Sequence, residues 1–100
     1  MAEKKLEPVH PGEILLEDFM KPLEISSNRL SRDIDVPANR ISEIVAGRRS
    51  ISADTALRLS KYFGTSAEIW MGLQKDYDLR LARQTVWPEI ENRVRALKAV

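Results

Sequence analysis

The side chains of this 100-residue chain best suited to chemistry lie between apolar residues over positions 38–45. Helical spacing predicts a buried face of Ile41, Ile44 and Val45 and leaves an outer face of five small or polar residues: Ala38, Asn39, Arg40, Ser42 and Glu43. Asn pairs with adenine, Arg with guanine and Glu with the cytosine amino group, and a methyl group contacts thymine. The outer face is therefore predicted to read DNA bases, with Arg40 as the strongest candidate.

A second group of residues suits the phosphate backbone of DNA. Serines at a predicted helix start expose backbone N–H groups, and basic or amide side chains follow them and the next helix end; the set is Ser26, Ser27, Asn28, Arg29, Arg48 and Arg49. Residues 25–61 carry seven basic and four acidic side chains, whereas residues 1–24 carry three basic and six acidic ones. Positive charge is thus centred on this region, although polar faces and basic pairs are also common on surfaces without a ligand.

The elements that position these side chains are all predicted to be α-helices. Apolar residues recur with a period near 3.6 between Pro, Gly and Ser/Thr residues, and no useful strand alternation occurs. His10 and Ser52 are predicted to cap helices, as is Thr65 in a capping box with Glu68. Gly47 and Gly64 are predicted to end the third and fourth helices in the left-handed conformation, and Asp35 to adopt it in a turn. The inward candidates on the fourth helix are Ala56, Leu59 and Phe63, with Leu57 as a further candidate. The fifth helix carries Ile69, Trp70 and Leu73.

Two of the helices are predicted to form a helix-turn-helix. The helices at about 27–34 and 38–46 flank the turn Asp35-Val36-Pro37, with apolar anchors on both sides: Leu30, Ile34, Val36, Ile41 and Ile44. This geometry leaves one face of the second helix free for the major groove of DNA. A helical module that binds only proteins fits the same spacing.

The composition excludes several kinds of catalytic and metal-binding site. The chain has no Cys and one His, so thiolate metal sites and cysteine nucleophiles are excluded, and no Gly-rich phosphate loop or metal-ligand spacing occurs. We expect no enzyme, no cofactor and no metal. No apolar run approaches the roughly 20 residues of a membrane span, so we expect a cytoplasmic protein without membrane contact.

Three regions are predicted along the chain: an N-terminal arm (1–9), a helix-turn-helix domain (10–84) and a C-terminal amphipathic helix (85–100). The last carries Ile90, Val94 and Leu97 on one stripe. This stripe is expected to pack on the same core or to form a dimer interface, with a protein partner as a third alternative.

Four runs of residues jointly resemble the XRE/Cro-type helix-turn-helix proteins, and within them the HigA/VapI-type antitoxins. They are His10–Leu15, Arg40–Arg49, Ala53–Leu59 and the stretch from Phe63 to Leu79. The resemblance implies a lambda-repressor-like five-helix DNA-binding domain, here with a C-terminal helical extension. It also implies a homodimer that represses its own operon at a palindromic operator, and that neutralises a HigB-like toxin, an RNase that cleaves mRNA. By position, Ala38, Asn39, Arg40 and Glu43 fall where such proteins read bases. A stand-alone regulator without a toxin remains an alternative.

Overall fold

The computed structural model describes residues 7–98, and every regular element in that range is a helix. The elements are α1 (Pro11–Ile14), which continues as a π-helix (Leu15–Met20), α2 (Ser27–Asp33), α3 (Asn39–Val45), α4 (Ala53–Phe63), α5 (Ala67–Gln84), α6 (Trp87–Ile90) and a 3₁₀ turn (Glu91–Arg93). The all-α prediction is confirmed. Residues 1–6 of the predicted arm and the last two residues of the predicted terminal helix lie outside the described range.

One apolar core joins the first five helices. Its buried members are Leu15, Met20, Leu30, Ile34, Ile41, Ile44, Ile51, Ala56, Leu59 and Trp70. Burial of each large side chain contributes about 1.5–3 kcal/mol, so these contacts dominate the stability of the fold. Trp70 is fully buried, as predicted, and its indole Nε1 donates to Thr65 Oγ1 at 2.8 Å.

The predicted helix caps and glycine ends are confirmed with one exception. His10 Nδ1 accepts a hydrogen bond from the Gly12 amide at 2.9 Å, and Ser52 Oγ accepts from the Thr55 amide at 3.3 Å. Gly47 and Gly64 have φ values of +79° and +74° at the ends of α3 and α4. The N-cap of α5 is Ser66 and not the predicted Thr65, because Thr65 instead accepts the indole hydrogen bond.

Two predicted inward positions are wrong. Leu57 on α4 and Ile69 on α5 are both more than half exposed. On α4 the buried face is already formed by Thr55, Ala56 and Leu59, and Ile69 precedes Trp70, which takes the core position at the start of α5. For the helices α4 and α5, periodicity identified the element correctly but not the width of its buried face.

The predicted helix over residues 85–100 is also wrong. Helix α6 contains four residues, and Val94 is extended, with φ −91° and ψ 121°. Every residue from 85 to 98 is exposed, so this segment does not pack on the core as one alternative required. Short helices are marginal in water without tertiary packing, which explains why the stripe does not form a continuous helix.

Candidate DNA-binding surface

Helices α2 and α3 form the predicted helix-turn-helix. Leu30 and Ile34 of α2 are buried together with Ile41 and Ile44 of α3. Ser31 is buried between the two helices, and its Oγ donates to the Ala38 carbonyl at 3.4 Å. The small side chain of Ser31 therefore permits the close approach of the two helices.

The turn between them has the geometry of a Schellman motif. Asp35 has φ +58°, its amide donates to the Arg32 carbonyl at 3.2 Å, and the Val36 amide donates to the Ser31 carbonyl at 3.0 Å. Glycine usually occupies the left-handed position because other residues lose about 1–2 kcal/mol there. The prediction that Asp35 adopts this conformation is confirmed.

Arg58 of α4 binds this turn, a contact that the sequence analysis missed. Its Nη1 donates to the carbonyls of Ile34 at 2.7 Å and Asp35 at 2.9 Å, and its Nε donates to Asp54 Oδ2 at 3.0 Å. Arg58 lies 23 residues beyond the turn, and local spacing does not indicate a contact over that separation. The guanidinium holds two consecutive carbonyls that α2 leaves without helical partners.

Three of the five predicted base-reading residues lie on the open face of α3. Ala38, Asn39 and Ser42 are exposed, and Ser42 Oγ donates to the Asn39 carbonyl at 3.0 Å. Glu43 is half-buried beside them, and its Oε1 lies 3.0 Å from Nη1 of the predicted phosphate ligand Arg49. This solvent-accessible ion pair connects the two predicted groups. It contributes under about 1 kcal/mol, so DNA can separate it at little cost.

Arg40 is turned towards α4. Its Nη1 lies 3.3 Å from Oγ1 of the buried Thr55, and its Nε is buried without a hydrogen-bond partner. Reading a base from this position requires the guanidinium to leave Thr55. The base-reading role of Arg40 therefore stays a prediction. The main alternative is that Arg40 joins α3 to α4.

The predicted phosphate ligands lie at the start of α2 and just after the end of α3. Ser26 caps α2 by accepting from the Arg29 amide at 3.1 Å, and the Arg29 side chain lies 3.4 Å from Asp33. Ser27 is half-buried. The other five predicted ligands are exposed: Ser26, Asn28, Arg29, Arg48 and Arg49. The structure brings them to the ends of α2 and α3, where backbone N–H groups and basic side chains suit phosphate.

Arg32 is an exposed residue that the sequence analysis did not select. It lines an open groove of about 440 Å³ together with Asn28 and Ala38, which belong to the two predicted DNA-contacting groups. Its place on the last turn of α2 follows from helix geometry, four residues after Asn28. The structure thus adds a cation to the predicted surface.

Helix α1 packs closely against α3. A Cβ built on the buried Gly12 would lie 1.8 Å from the Ile44 carbonyl oxygen, so only glycine permits this approach. Burial lowers the pKa of His10, which caps α1, and the nearby Asp78 carboxylate partly offsets that effect.

A buried amide fixes the loop that follows α3. Gln74 Oε1 accepts from the Ile51 amide at 2.7 Å, and its Nε2 donates to Asp78 Oδ1 at 2.9 Å. The oxygen and the nitrogen of this buried amide therefore each have a hydrogen-bond partner, as a buried polar group requires. The loop that carries Arg48 and Arg49 is thereby tied to α5.

Comparison with known proteins identifies the family. The helix-turn-helix family model of the XRE type matches residues 16–70. Virulence-associated protein I of Dichelobacter nodosus is 45% identical over 83 residues, which cover 83% of this chain and 77% of that protein. The chain belongs to the helix-turn-helix family. Its members are DNA-binding regulators and antitoxins rather than enzymes.

Solved structures of helix-turn-helix antitoxins match nearly the whole chain. The Pseudomonas aeruginosa antitoxin HigA, solved with the higBA promoter, has a TM-score of 0.86 and 43% identity and covers 91% of this chain and 99% of its own. The antitoxin GraA, solved in complex with its operator, has a TM-score of 0.88 and 39% identity, covering 99% of this chain and 100% of its own. The resemblance to HigA-type antitoxins stated from the motifs is confirmed.

Among residues 7–98, no helix is long and apolar enough to cross a membrane. Within the same range, no group of three or more His, Asp or Glu side chains is placed to hold a metal ion.

Proposed function

We propose that this protein is a cytoplasmic antitoxin and autorepressor of a HigBA-type toxin–antitoxin operon. It binds an inverted-repeat operator in its own promoter as a homodimer and neutralises a HigB-like, mRNA-cleaving toxin. The observation that carries the proposal is the similarity to antitoxins solved with promoter or operator DNA, which extends over at least nine-tenths of this chain.

The surface around α3 supports the DNA-binding half of the proposal. Ala38, Asn39, Ser42 and Glu43 offer a methyl group and hydrogen-bonding groups to base edges, and Arg40 joins them if it leaves Thr55. The six predicted phosphate ligands, with Arg32, fix the register of the helix on the duplex without reading sequence. Occupying the promoter in this way represses transcription.

Exposed apolar side chains support the homodimer. The end of α5 and the following segment expose six of them to solvent: Leu79, Leu81, Val86, Trp87, Ile90 and Val94. Exposed apolar surface concentrated at one end of a chain is typical of a protein interface. A two-fold dimer places its recognition helices about 34 Å apart, in successive major grooves of one DNA face.

DNA binding is tested by fluorescence anisotropy against the protein's own upstream intergenic DNA and a scrambled duplex, each at two salt concentrations. We expect preference for the upstream DNA and a steep fall of affinity with salt, because phosphate contacts release counterions. Equal, weak binding to both duplexes would contradict the repressor and favour a protein-binding module.

Neutralisation is tested separately by co-expression with the neighbouring open reading frame. We expect a stable complex with a small basic product, and we expect the antitoxin to restore protein synthesis in a cell-free translation reaction that the product inhibits. If operator binding is present but no neighbouring product binds, the protein is a stand-alone regulator.

A further inference from the structure

We propose that Arg58 of α4 is a positioning residue that sets the orientation of the recognition helix α3 for base reading. This inference rests on the DNA-binding function proposed above and adds a residue that lies outside the helix-turn-helix itself. Its guanidinium makes hydrogen bonds at 2.7 Å to the Ile34 carbonyl, 2.9 Å to the Asp35 carbonyl and 3.0 Å to Asp54.

The chemistry of the turn explains why an arginine suits this place. The last carbonyls of a helix have no partner within it, and the negative end of the helix dipole favours a cation there. The planar guanidinium supplies several donors in a fixed arrangement, which an ammonium group does not. Arg58 therefore satisfies the carbonyls and holds Asp35, at φ +58°, in its unusual conformation.

The anchor of Arg58 is rigid relative to the turn. Ala56 and Leu59 on either side of it are fully buried, so the backbone of α4 is fixed by the core. Asp54, one turn earlier on the same helix, holds Nε of Arg58 and orients the guanidinium. The turn leads into α3 within four residues of Asp35, so displacement of its carbonyls tilts the recognition helix.

The surroundings of Arg58 argue against a direct phosphate contact. Its Nη1 is directed at protein carbonyls, and it lines an open groove of about 580 Å³ with Asp33, Asp35 and Tyr62. Two carboxylates beside the guanidinium repel a phosphate group. Arg58 thus acts on DNA through the turn.

Arg58→Lys tests the proposal because it retains the positive charge and removes the planar fork. We expect the preference for operator over scrambled DNA to fall about tenfold, a fraction of the discrimination that bidentate base contacts supply. Affinity for scrambled DNA and its salt dependence stay unchanged. Asp54→Ala removes only the acceptor of Nε, and we expect a smaller fall of about twofold to threefold by the same reasoning.

Lys61→Met is the matched control, since it removes a charge from the same groove and leaves the hydrogen bonds of Arg58 in place. We expect it to retain full operator preference. Each variant is measured at a temperature 20 degrees below its own unfolding midpoint, so that reduced stability is separated from reduced discrimination. If the Arg58 and Asp54 variants both keep the wild-type preference for operator over scrambled DNA, the proposal is overturned.

Two further outcomes are distinct. Equal loss on both duplexes with a shallower salt dependence identifies Arg58 as a phosphate ligand and overturns positioning. If the wild-type protein itself shows no operator preference, the proposed function fails, and amide chemical shifts then test the positioning alone. We expect Arg58→Lys to shift the amides of residues 35–45, whereas changes confined to the neighbours of residue 58 overturn the inference.

Discussion

Two exposed regions of this protein differ in how their backbones are held. The recognition unit, residues 27–49, presents polar side chains on helices that are anchored by Leu30, Ile41 and Ile44 in the core. The C-terminal segment, residues 85–98, presents apolar side chains on a short helix, a 3₁₀ turn and extended chain, with every residue exposed. The first region is held by the core and exposes polar side chains, whereas the second exposes apolar side chains that do not join the core.

This difference indicates two kinds of partner. Reading base edges requires hydrogen-bonding groups at fixed positions, which the core, Arg58 and Gln74 together provide. An apolar segment without packing gains most of its stabilisation when it removes hydrophobic surface from water against another protein. We therefore expect changes behind the recognition unit to alter folding, and changes in the C-terminal segment to alter assembly.

The largest effect is expected at Gly12, where α1 supports the recognition unit. In Gly12→Ala the new methyl group overlaps the Ile44 carbonyl oxygen, since the site leaves 1.8 Å where a contact needs more than 3 Å. We expect the free energy of unfolding to fall by about 3 kcal/mol, at the upper end of overpacking effects, as measured by urea denaturation.

The control for Gly12 is Gly72→Ala on α5. A Cβ at Gly72 meets no atom within 4 Å, and alanine is the better helix former. We expect the free energy of unfolding to rise by about 0.5–1 kcal/mol. Equal effects at the two glycines would contradict the close approach of α1 to α3.

The next effect is expected at Trp87 in the C-terminal segment. Trp87→Ala removes the largest of the exposed apolar side chains there, and we expect dimerisation to weaken by about 2 kcal/mol, as for an interface hot spot. Sedimentation equilibrium measures the change. Met71→Ala, an exposed apolar change nearer the start of α5, is expected to leave the dimer intact. A wild-type protein that is monomeric at all concentrations refutes the proposed interface.

A third comparison lies within the recognition unit, between Asn39 and its neighbour Arg40. Asn39 is exposed on α3, so we expect Asn39→Ala to reduce operator affinity by about 1–3 kcal/mol and to relax preference at one base pair. Arg40 lies against Thr55. We expect Arg40→Ala to spread a smaller loss over several base pairs, as measured with operators substituted at single positions. If Arg40→Ala instead loses its preference at a single base pair, the predicted base-reading role of Arg40 is supported.

The sequence predicted the local features of this fold well. Caps at His10 and Ser52, the glycine ends of α3 and α4, and the anchors of the helix-turn-helix depend on residues close together in the chain, so their types and spacing carry the information. The left-handed turn at Asp35 was predictable for the same reason.

Long-range contacts were not predictable in this way. The 24-residue separation of Arg58 from Ile34, and the 23-residue separation of Gln74 from Ile51, give no local pattern. The predicted terminal helix failed because its stripe of Ile90, Val94 and Leu97 needs a partner surface, and the described chain supplies none. Sequence therefore located the outer face of α3 but not the direction of Arg40 or the device that orients the helix.

The smallest effect is expected from pH at the N-cap of α1, behind the recognition unit. Neutral His10 Nδ1 accepts from the Gly12 amide, and the imidazolium form has no free acceptor. Burial lowers the pKa of His10 below 6.5 in the folded protein, so the unfolded chain binds the proton more strongly. The stabilisation is complete above pH 6.5 and is lost as the pH falls towards the lowered pKa of His10.

The control variant His10→Asn retains a capping acceptor and removes the titration. We expect the wild-type unfolding free energy to fall by about 0.5–1 kcal/mol on acidification to pH 5, which is the typical contribution of an N-cap. The unfolding free energy of His10→Asn is expected to lack this part of the fall. Parallel pH profiles for wild type and His10→Asn in urea denaturation would assign the acid sensitivity to other groups.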